Sequence, residues 1–164
     1  MPPPRQDPDQ AVTLPLLDRL TNTPDLNAPL TRGQSVRLLR ASLRRDLEWL
    51  FNSRANHELN PRYAEVFQSV VNYGLPDVSN LSMANFRDRQ RLERYIEQAI
   101  ATFEPRLTAV QVRMVDHGAD GAKKLRFQID ALLKMDPAPE RVSFDTVLDV
   151  LSGEYQVKGE ASAG

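Results

Sequence analysis

The sequence contains no cysteine and only two histidines, His57 and His117. Without cysteine, disulfides, thiolate catalysis and cysteine-based zinc sites are excluded. The segment "HELNP" begins like a metalloprotease helix, but the second histidine of that motif would fall at Pro61. So few imidazoles make a transition-metal site improbable, and we expect no metal and no cofactor.

The chain also lacks an excess of charge of one sign and any long apolar run. Its formal net charge is −1 and its pI about 6.1, so no global basic field is available to hold nucleic acid. No run approaches the roughly 18 apolar residues of a membrane span. The first residues, "MPPPRQDPDQ", lack the apolar core of a signal peptide. We therefore expect a soluble, cytoplasmic protein without membrane insertion.

Proline is abundant but unevenly placed, with 7 of the 12 prolines in the first 30 residues. Proline fixes φ and removes a backbone donor, so residues 1–30 are predicted to be a tail. Residues 31–158 are predicted to form a single domain, and residues 159–164 to fray. Within the tail, a short helical turn capped by Thr13 carries Leu16, Leu17 and Leu20 at helical spacing. This apolar anchor suits either a partner or the chain's own domain.

Two long helices are predicted from apolar periodicity. The first lies in "TRGQSVRLLRASLRRDLEWLFNSR", and its apolar stripe comprises Val36, Leu39, Leu43, Leu47 and Leu50. The second lies in "NFRDRQRLERYIEQAIATFE", begins at the N-cap Asn85, and buries Leu92, Ile96, Ala99, Ile100 and Phe103. The first helix also carries a row of arginines, namely Arg37, Arg40, Arg44 and Arg45. Because Asp46 and Glu48 interrupt this row, a solvated face or a protein interface is favoured over nucleic-acid binding.

After Pro105 the period changes from helical to alternating. Two alternating runs flank "HGADG", whose Asp-Gly pair predicts an antiparallel hairpin. The segment "VSFDTVLDVLSGEYQVKG" adds one or two strands, with a turn at Ser152-Gly153. The predicted fold class is therefore α+β, with N-terminal helices packed on one face of a small antiparallel sheet formed by the C-terminal half.

The tripeptide Glu104-Pro105-Arg106 stands where the period changes. Proline disfavours helix for the residue before it, so the second helix should end by Phe103 or Glu104. An extended chain would then project Glu104 and Arg106 to one side. If the strand register is unbroken, that is the side of Val110, Val112 and Met114. Such charges beside an apolar face must bind each other, backbone groups or a partner. A glycosidase would need a second, opposed carboxylate, which neither Glu97 nor Asp116 supplies at a predictable position.

Two motifs carry a resemblance to a known family, "NYGLPD" (72–77) and "FEPRL" (103–107). With "LPLLDRLTN", "SVRLLRASLRRDLEWLFNSR" and "FDTVLDVLSGEYQV", they make residues 14–158 resemble the TssE family of type VI secretion baseplate wedge subunits. That family is homologous to the lysozyme-like baseplate wedge protein of contractile phage tails. The resemblance implies a non-enzymatic assembly protein whose partners are other wedge subunits and contractile sheath subunits. It also implies a cytoplasmic baseplate docked at the inner face of the inner membrane.

The resemblance implies that Glu104, Pro105 and Arg106 serve wedge contacts or the helix–strand joint. Further partner contacts are predicted at six apolar or aromatic positions: Leu16, Leu17, Leu20, Tyr73, Leu75 and Pro76. An exposed edge in the strands of residues 142–157 is expected to accept sheath subunits by strand addition. The alternative is a peptidoglycan hydrolase that uses Glu104 as its general acid.

Overall fold

The structure, a computed structural model, describes residues 15–21, 32–55, 62–78, 81–82, 85–115 and 124–159. The helices are α1 (Leu16–Thr21), α2 (Arg32–Asn52) and α3 (Phe86–Phe103), with short 3-10 helices at Ala64–Gln68 and Val70–Asn72. The strands are β1 (Leu107–Met114), β2 (Lys124–Leu133), β3 (Glu140–Asp149) and β4 (Glu154–Lys158). This arrangement confirms the predicted α+β class.

The chain divides into two compact units, residues 1–43 and residues 44–164. The division lies within α2, whereas the sequence places a tail boundary at residue 30, so the predicted domain limits stay a prediction. In the first unit, α1 forms where the leucine spacing predicts a helical turn. Thr13, the predicted cap of this turn, lies outside the described residues.

Both long helices form where the apolar stripes predict them. In α2, Leu39, Leu43, Leu47 and Leu50 are buried, while Val36 is half-buried. In α3, four of the five predicted residues are buried, and Phe103 at the end of the helix is half-buried. The Asn85 side chain accepts a hydrogen bond from the Arg87 N–H at 2.9 Å, which confirms the predicted N-cap.

The sheet is antiparallel throughout, in the order β1-β2-β3-β4. Alternate residues of β2, β3 and β4 are buried, so the sheet has one covered face and one open face. The buried set is Phe127, Ile129, Ala131, Leu133, Val142, Phe144, Thr146, Leu148, Tyr155 and Val157. The predicted β1–β2 hairpin and the turn before β4 are present, and Gly153 adopts a φ of 72° in that turn. The "HGADG" turn lies outside the described residues.

The β1 strand does not meet the condition of an unbroken register. Its register with β2 shifts between Thr108 and Gln111, where Ala109 adopts a φ of 50°. A bulge of this kind places an extra residue in one strand, so the burial alternation changes phase. Leu107 and Val112 are consequently both buried although five positions separate them. The register therefore does not run unbroken from Arg106 to Val112.

Candidate functional site

The junction between α3 and β1 is a hydrogen-bonded turn, not the extended segment predicted from Pro105. The helix ends at Phe103, as predicted, and Glu104 is its C-cap, donating its N–H to the Ile100 carbonyl at 2.8 Å. The Leu107 N–H donates to the Glu104 carbonyl at 3.1 Å, which closes a β-turn with Pro105 in its second position. Proline is favoured there because its fixed φ suits the turn and its missing N–H is not required.

The start of the sheet holds this turn from the other side. Lys134 follows β2 and donates its backbone N–H to the Arg106 carbonyl at 2.8 Å. Its ammonium Nζ donates to the Pro105 carbonyl, also at 2.8 Å. The turn is thus bonded to α3, to itself and to the end of β2. Its side chains are presented from a backbone with little freedom to move.

Glu104 and Arg106 form a bidentate ion pair across the turn. Arg106 Nε donates to Glu104 Oε1 and Arg106 Nη2 to Glu104 Oε2, each at 2.5 Å. Arg106 Nη2 also donates to Asp46 Oδ2 at 2.6 Å. Glu104 is 6% exposed, whereas the Arg106 side chain is 26% exposed. The guanidinium therefore has a buried side that neutralises Glu104 and a side that reaches the surface.

No sequence pattern predicts Asp46 as a site residue, although it lies in the arginine row of α2. Its only sequence signal is that it interrupts that row, and the structure supplies the reason. Asp46 belongs to the charged cluster of Glu104 and Arg106 and connects α2 to the turn. Arg45 donates to Asp46 Oδ1 at 3.3 Å and lies 5.2 Å from the Trp49 ring centroid. Arg45 is therefore engaged within the chain.

The surroundings of this charged cluster shift the pKa values of two residues, Arg106 and Tyr73. Burial lowers the pKa of Arg106, but the hydrogen bonds that Arg106 donates to Glu104 and Asp46, and the charges of those carboxylates, outweigh burial and raise it. The guanidinium thus stays charged at any accessible pH. Burial also raises the pKa of Tyr73, with further contributions from the nearby charges of Asp46 and Glu104. Tyr73 lies close enough to the cluster to sense both carboxylates.

Tyr73 brings the "NYGLPD" segment against the "FEPRL" segment. Its ring meets the Phe103 ring edge to face, with 5.3 Å between the centroids. Leu75 donates its N–H to the Ser53 carbonyl and accepts from the Ala55 N–H, both at 2.9 Å. The "NYGLPD" segment therefore docks on the end of α2, and its aromatic residue reaches the end of α3.

Gly74 makes this docking possible. Its φ of 126° lies in a region that disfavours side chains, and a Cβ there would stand 2.3 Å from the Ser53 carbonyl oxygen. The close approach explains why glycine follows Tyr73.

The predicted partner-binding residues occupy different surroundings. Leu75 is 3% exposed and belongs to the core of this chain, while Tyr73 and Pro76 are half-buried. Leu16 and Leu20 are 68% and 75% exposed, and Leu17 is also exposed. The α1 leucines are thus exposed, whereas the apolar residues of "NYGLPD" pack largely within the chain.

On β1, the edge strand next to α3, two backbone N–H groups donate hydrogen bonds to carboxylates of α3. Glu97 accepts the Val112 N–H at 2.9 Å, and Glu93 accepts the Met114 N–H at 2.7 Å. The two glutamates are four residues apart on α3, so they share one face of the helix, which packs along β1. These carboxylates occupy outward donors that an additional strand would need.

On β4, the opposite edge strand, the backbone groups of one residue, Tyr155, are bonded to the side-chain amide of Asn52. Asn52 Oδ1 accepts the Tyr155 N–H at 2.9 Å, and Asn52 Nδ2 donates to the Tyr155 carbonyl at 2.8 Å. The outward-facing groups of an edge strand alternate, so those of Val157 face the same way as those of Tyr155. β3 pairs with strands on both sides and presents no edge. The edge expected in residues 142–157 is therefore β4 alone.

The geometry gives little support to hydrolysis. Both Glu104 oxygens accept from Arg106, and Glu97 accepts from a backbone N–H, so neither carboxylate is poised toward a substrate. Within the described segments, no three acidic or imidazole side chains gather as a metal site. In the same segments, no helix combines the length and the apolar character needed to cross a membrane. Both histidines lie outside these segments.

Comparison with known proteins assigns a class to this fold. The chain matches the family model "Baseplate wedge protein gp25" over residues 37–138, a range that includes α3, the turn and β2. The class is thus that of baseplate wedge proteins, which are structural components. The chain belongs to the gp25 family of baseplate wedge proteins, which confirms the family resemblance predicted from the motifs.

Further comparisons add one solved structure. A chain in "The baseplate complex from the type VI secretion system" has a TM-score of 0.47 to this chain at 16% identity. The similarity covers 70% of this chain and 97% of that chain. The search of curated proteins found no match.

Proposed function

We propose that this protein is a non-enzymatic wedge subunit of a type VI secretion baseplate. In this role it joins the other wedge subunits and nucleates assembly of the contractile sheath. The baseplate lies in the cytoplasm, docked at the inner face of the inner membrane. Membership of the gp25 family supports the baseplate role.

The observation that carries the docking role is the arrangement around Arg106. Its guanidinium neutralises a buried carboxylate, yet a quarter of the side chain is exposed on a turn held by three elements. A fixed, partly exposed arginine is suited to a protein interface because little conformational entropy is lost when it binds. Glu104 and Pro105 serve as its supports, and Asp46 completes them. The exposed leucines of α1 supply a second, apolar contact.

Co-purification with the other wedge subunits of the same system tests this role. The informative variant is Lys134→Glu, which reverses an exposed charge beside the turn and changes neither Glu104 nor Arg106. We expect this variant to lose the complex with an unchanged circular dichroism spectrum. Arg141→Glu, an exposed change on β3, is the matched control and should retain it. A complex that survives both Lys134→Glu and Arg106→Gln would contradict docking at the turn.

The sheath role is tested at the outward N–H of Val157. Val157→Pro removes this donor, whereas Val157→Ala keeps it and also shortens the buried side chain. We expect only the proline variant to stop sheath assembly. Equal sheath assembly by both variants would overturn strand addition at β4.

Hydrolysis is the competing function and has its own measurement. Release of peptidoglycan fragments by the purified protein, abolished in Glu104→Gln, would establish an enzyme. We expect no Glu104-dependent release, because Arg106 holds both oxygens of this carboxylate.

A further inference from the structure

The charged side chains of α3 are sorted by helix face. Arg87, Arg91 and Arg94 are all exposed and stand at positions i, i+4 and i+7. With 3.6 residues per turn, these positions fall within about 60° of the helix circumference. Leu92 and Ile96, on the opposite side of the helix, are fully buried. The three arginines therefore form one row, the arginine stripe of α3, which faces away from the core.

No acidic residue of α3 shares this face. The helix contains three carboxylates, and each accepts a backbone N–H from another part of the fold: Asp88 from Ser82 at 3.1 Å, Glu93 from Met114 at 2.7 Å and Glu97 from Val112 at 2.9 Å. A surface helix is commonly stabilised by ion pairs between its own glutamates and basic residues one turn away. Within the described residues, no carboxylate forms an ion pair with an arginine of the stripe. The stripe is thus a row of three cations that the described part of the chain does not neutralise.

Contacts within α3 order two of these side chains. Arg94 Nε donates to the Gln90 carbonyl at 3.3 Å, and the Arg91 guanidinium carbon lies 5.8 Å from the centroid of the Tyr95 ring. Each contact uses only part of a guanidinium, which has five N–H donors. A side chain that is already ordered loses less conformational entropy when it binds. The stripe is therefore well prepared to bind an anionic partner.

The spacing of the stripe favours a helical partner. From Arg87 to Arg94 the helix rises about 10 Å, in steps of about 6 and 4.5 Å. A second helix with carboxylates at i, i+4 and i+7 repeats these steps. An extended chain presents residues on one side about 7 Å apart, so two of its steps span about 14 Å and do not match.

Two other occupants fit less well. Nucleic acid binding is driven by release of counterions from many phosphates, and three cations on a chain of net charge −1 supply little of it. A second copy of this chain would need an acidic helix face of its own. None of the described helices carries three carboxylates at i, i+4 and i+7.

We propose that the arginine stripe of α3 is a docking surface for an acidic helix of another protein, with carboxylates at i, i+4 and i+7 on one face. Each arginine binds one carboxylate through its forked donors. Because these pairs stay close to solvent, they determine orientation and association rate more than affinity. The stripe occupies the first half of α3, away from the turn at Pro105, so this surface is additional to docking at that turn. It rests on the proposed function only for the identity of the partner as another wedge subunit.

Two triple variants of the full chain separate the stripe from net charge. The stripe variant combines Arg87→Gln, Arg91→Gln and Arg94→Gln, and glutamine is a good helix former. The sheet variant makes the same change at three exposed arginines of the sheet, namely Arg113→Gln, Arg126→Gln and Arg141→Gln. Both variants remove three positive charges. A difference between them therefore reports position and not total charge.

The probe is a synthetic helical peptide of alanine, glutamine and glutamate, with its glutamates at i, i+4 and i+7 of one face. Its control has the same composition, with the glutamates spread around the helix. NMR titration of the labelled protein at low ionic strength gives the dissociation constant and locates the shifted amides. We expect the stripe variant to bind the probe roughly tenfold more weakly than wild type, and the sheet variant to stay within about twofold. The control peptide should bind wild type about as weakly as the probe binds the stripe variant.

A conservative variant separates charge from geometry. Arg87→Lys, Arg91→Lys and Arg94→Lys together keep the charges but lose the forked donors, so binding of the probe should be intermediate. This variant also decides the question if the glutamine variant fails to fold. Equal affinity of wild type, stripe variant and sheet variant for the probe would overturn the proposal. Tighter binding of a single-stranded DNA oligonucleotide than of the probe at the stripe would refute an acidic helix as the occupant.

The outcomes also separate this inference from the proposed function. Loss of the wedge complex by the stripe variant, but not by the sheet variant, would support a wedge subunit as the partner. Probe binding in the expected order with an unchanged wedge complex would refute that partner and leave the acidic-helix surface intact. A normal wedge complex of wild type that shows no probe binding would refute the stripe alone. A concentration-dependent dimer of wild type that the stripe variant does not form would identify a second copy as the occupant and refute the chosen partner.

Discussion

At the scale of single residues, the charged corner combines a buried anion with a partly exposed cation. Glu104 lies almost wholly within the fold, where an isolated carboxylate would be strongly disfavoured. Arg106 compensates it through two parallel hydrogen bonds, the strongest geometry available to this pair. Asp46 binds the same guanidinium and anchors it to α2. The corner is therefore asymmetric, since removal of the cation leaves two anions beside each other.

Arg106→Met should destabilise the protein by roughly 3 kcal/mol, because it leaves a buried carboxylate without its partner. Urea unfolding at neutral pH measures this change. Arg141→Met, at an exposed arginine on β3, is the control and should change the free energy of unfolding by less than about 0.5 kcal/mol. Similar values for the two variants would mean that the pair adds nothing to stability.

Alanine substitutions at Gly74 and Gly153 separate the cost of a strained backbone conformation from the cost of a steric clash. Both have positive φ, but a Cβ at Gly74 would meet the Ser53 carbonyl at 2.3 Å, while a Cβ at Gly153 would meet nothing within 4 Å. Gly153→Ala should cost about 1–2 kcal/mol from the backbone alone. Gly74→Ala should cost clearly more, because "NYGLPD" must also leave α2. Thermal unfolding of the two variants compares them, and equal costs would contradict the close approach.

At the scale of elements, one face of α3 packs in the core and another accepts hydrogen bonds from the backbone of β1. Leu92, Ile96 and Ile100 are fully buried, and the neighbouring Glu93 and Glu97 reach the outward N–H groups of β1. A helix over a sheet usually covers side chains, but here it also satisfies the backbone of an edge strand. β1 is thereby protected from pairing with other chains.

Replacing both glutamates by alanine should expose the amides of Val112 and Met114 to hydrogen exchange. The acceptor oxygen is the group that matters here, so the Glu93→Gln, Glu97→Gln double variant should retain much of the protection. Amide exchange measured by NMR at Val112 and Met114 distinguishes the two pairs. Unchanged exchange in the alanine variant would show that α3 protects β1 by packing alone.

At the scale of the whole molecule, the buried Tyr155 links stability to alkaline pH. The Tyr155 hydroxyl is buried without a hydrogen-bond partner among the described residues, and burial raises the pKa of Tyr155. Above pH about 10 the unfolded chain releases this proton while the folded protein retains it. The folded state then binds more protons than the unfolded state, so stability falls as pH rises.

Tyr155→Phe should reduce that alkaline loss of stability. Urea unfolding at pH 7 and at stepwise higher pH measures it, and the pH 7 value serves as the internal control. At pH 7 the variant should be as stable as wild type or slightly more stable, because it removes a hydroxyl with no partner. Tyr73, whose pKa burial also raises, should maintain part of the slope. A slope identical to that of wild type would contradict the burial of the Tyr155 hydroxyl.

Much of the fold could be predicted because periodicity is a local signal. The stripes of α2 and α3, the Asn85 cap and the alternation of β2 each follow from neighbours in the chain. The bulge in β1 could not be predicted, because a shift of register depends on the partner strand and leaves no mark on composition. The turn at Pro105 differs from the predicted extended segment for a related reason. Proline permits both conformations, and the bonds from Leu107 and Lys134 select between them.

The sequence by itself determined where helices and strands lie, that the fold is α+β, and that Glu104 and Arg106 require compensation. These follow from local spacing and from the cost of burying charge. Only the tertiary structure decided which groups provide that compensation and which edge of the sheet is accessible. Asp46 is 60 residues from Arg106, and Asn52 is 103 residues from Tyr155. Such contacts depend on how the elements pack, and a single sequence carries no local pattern that reports them.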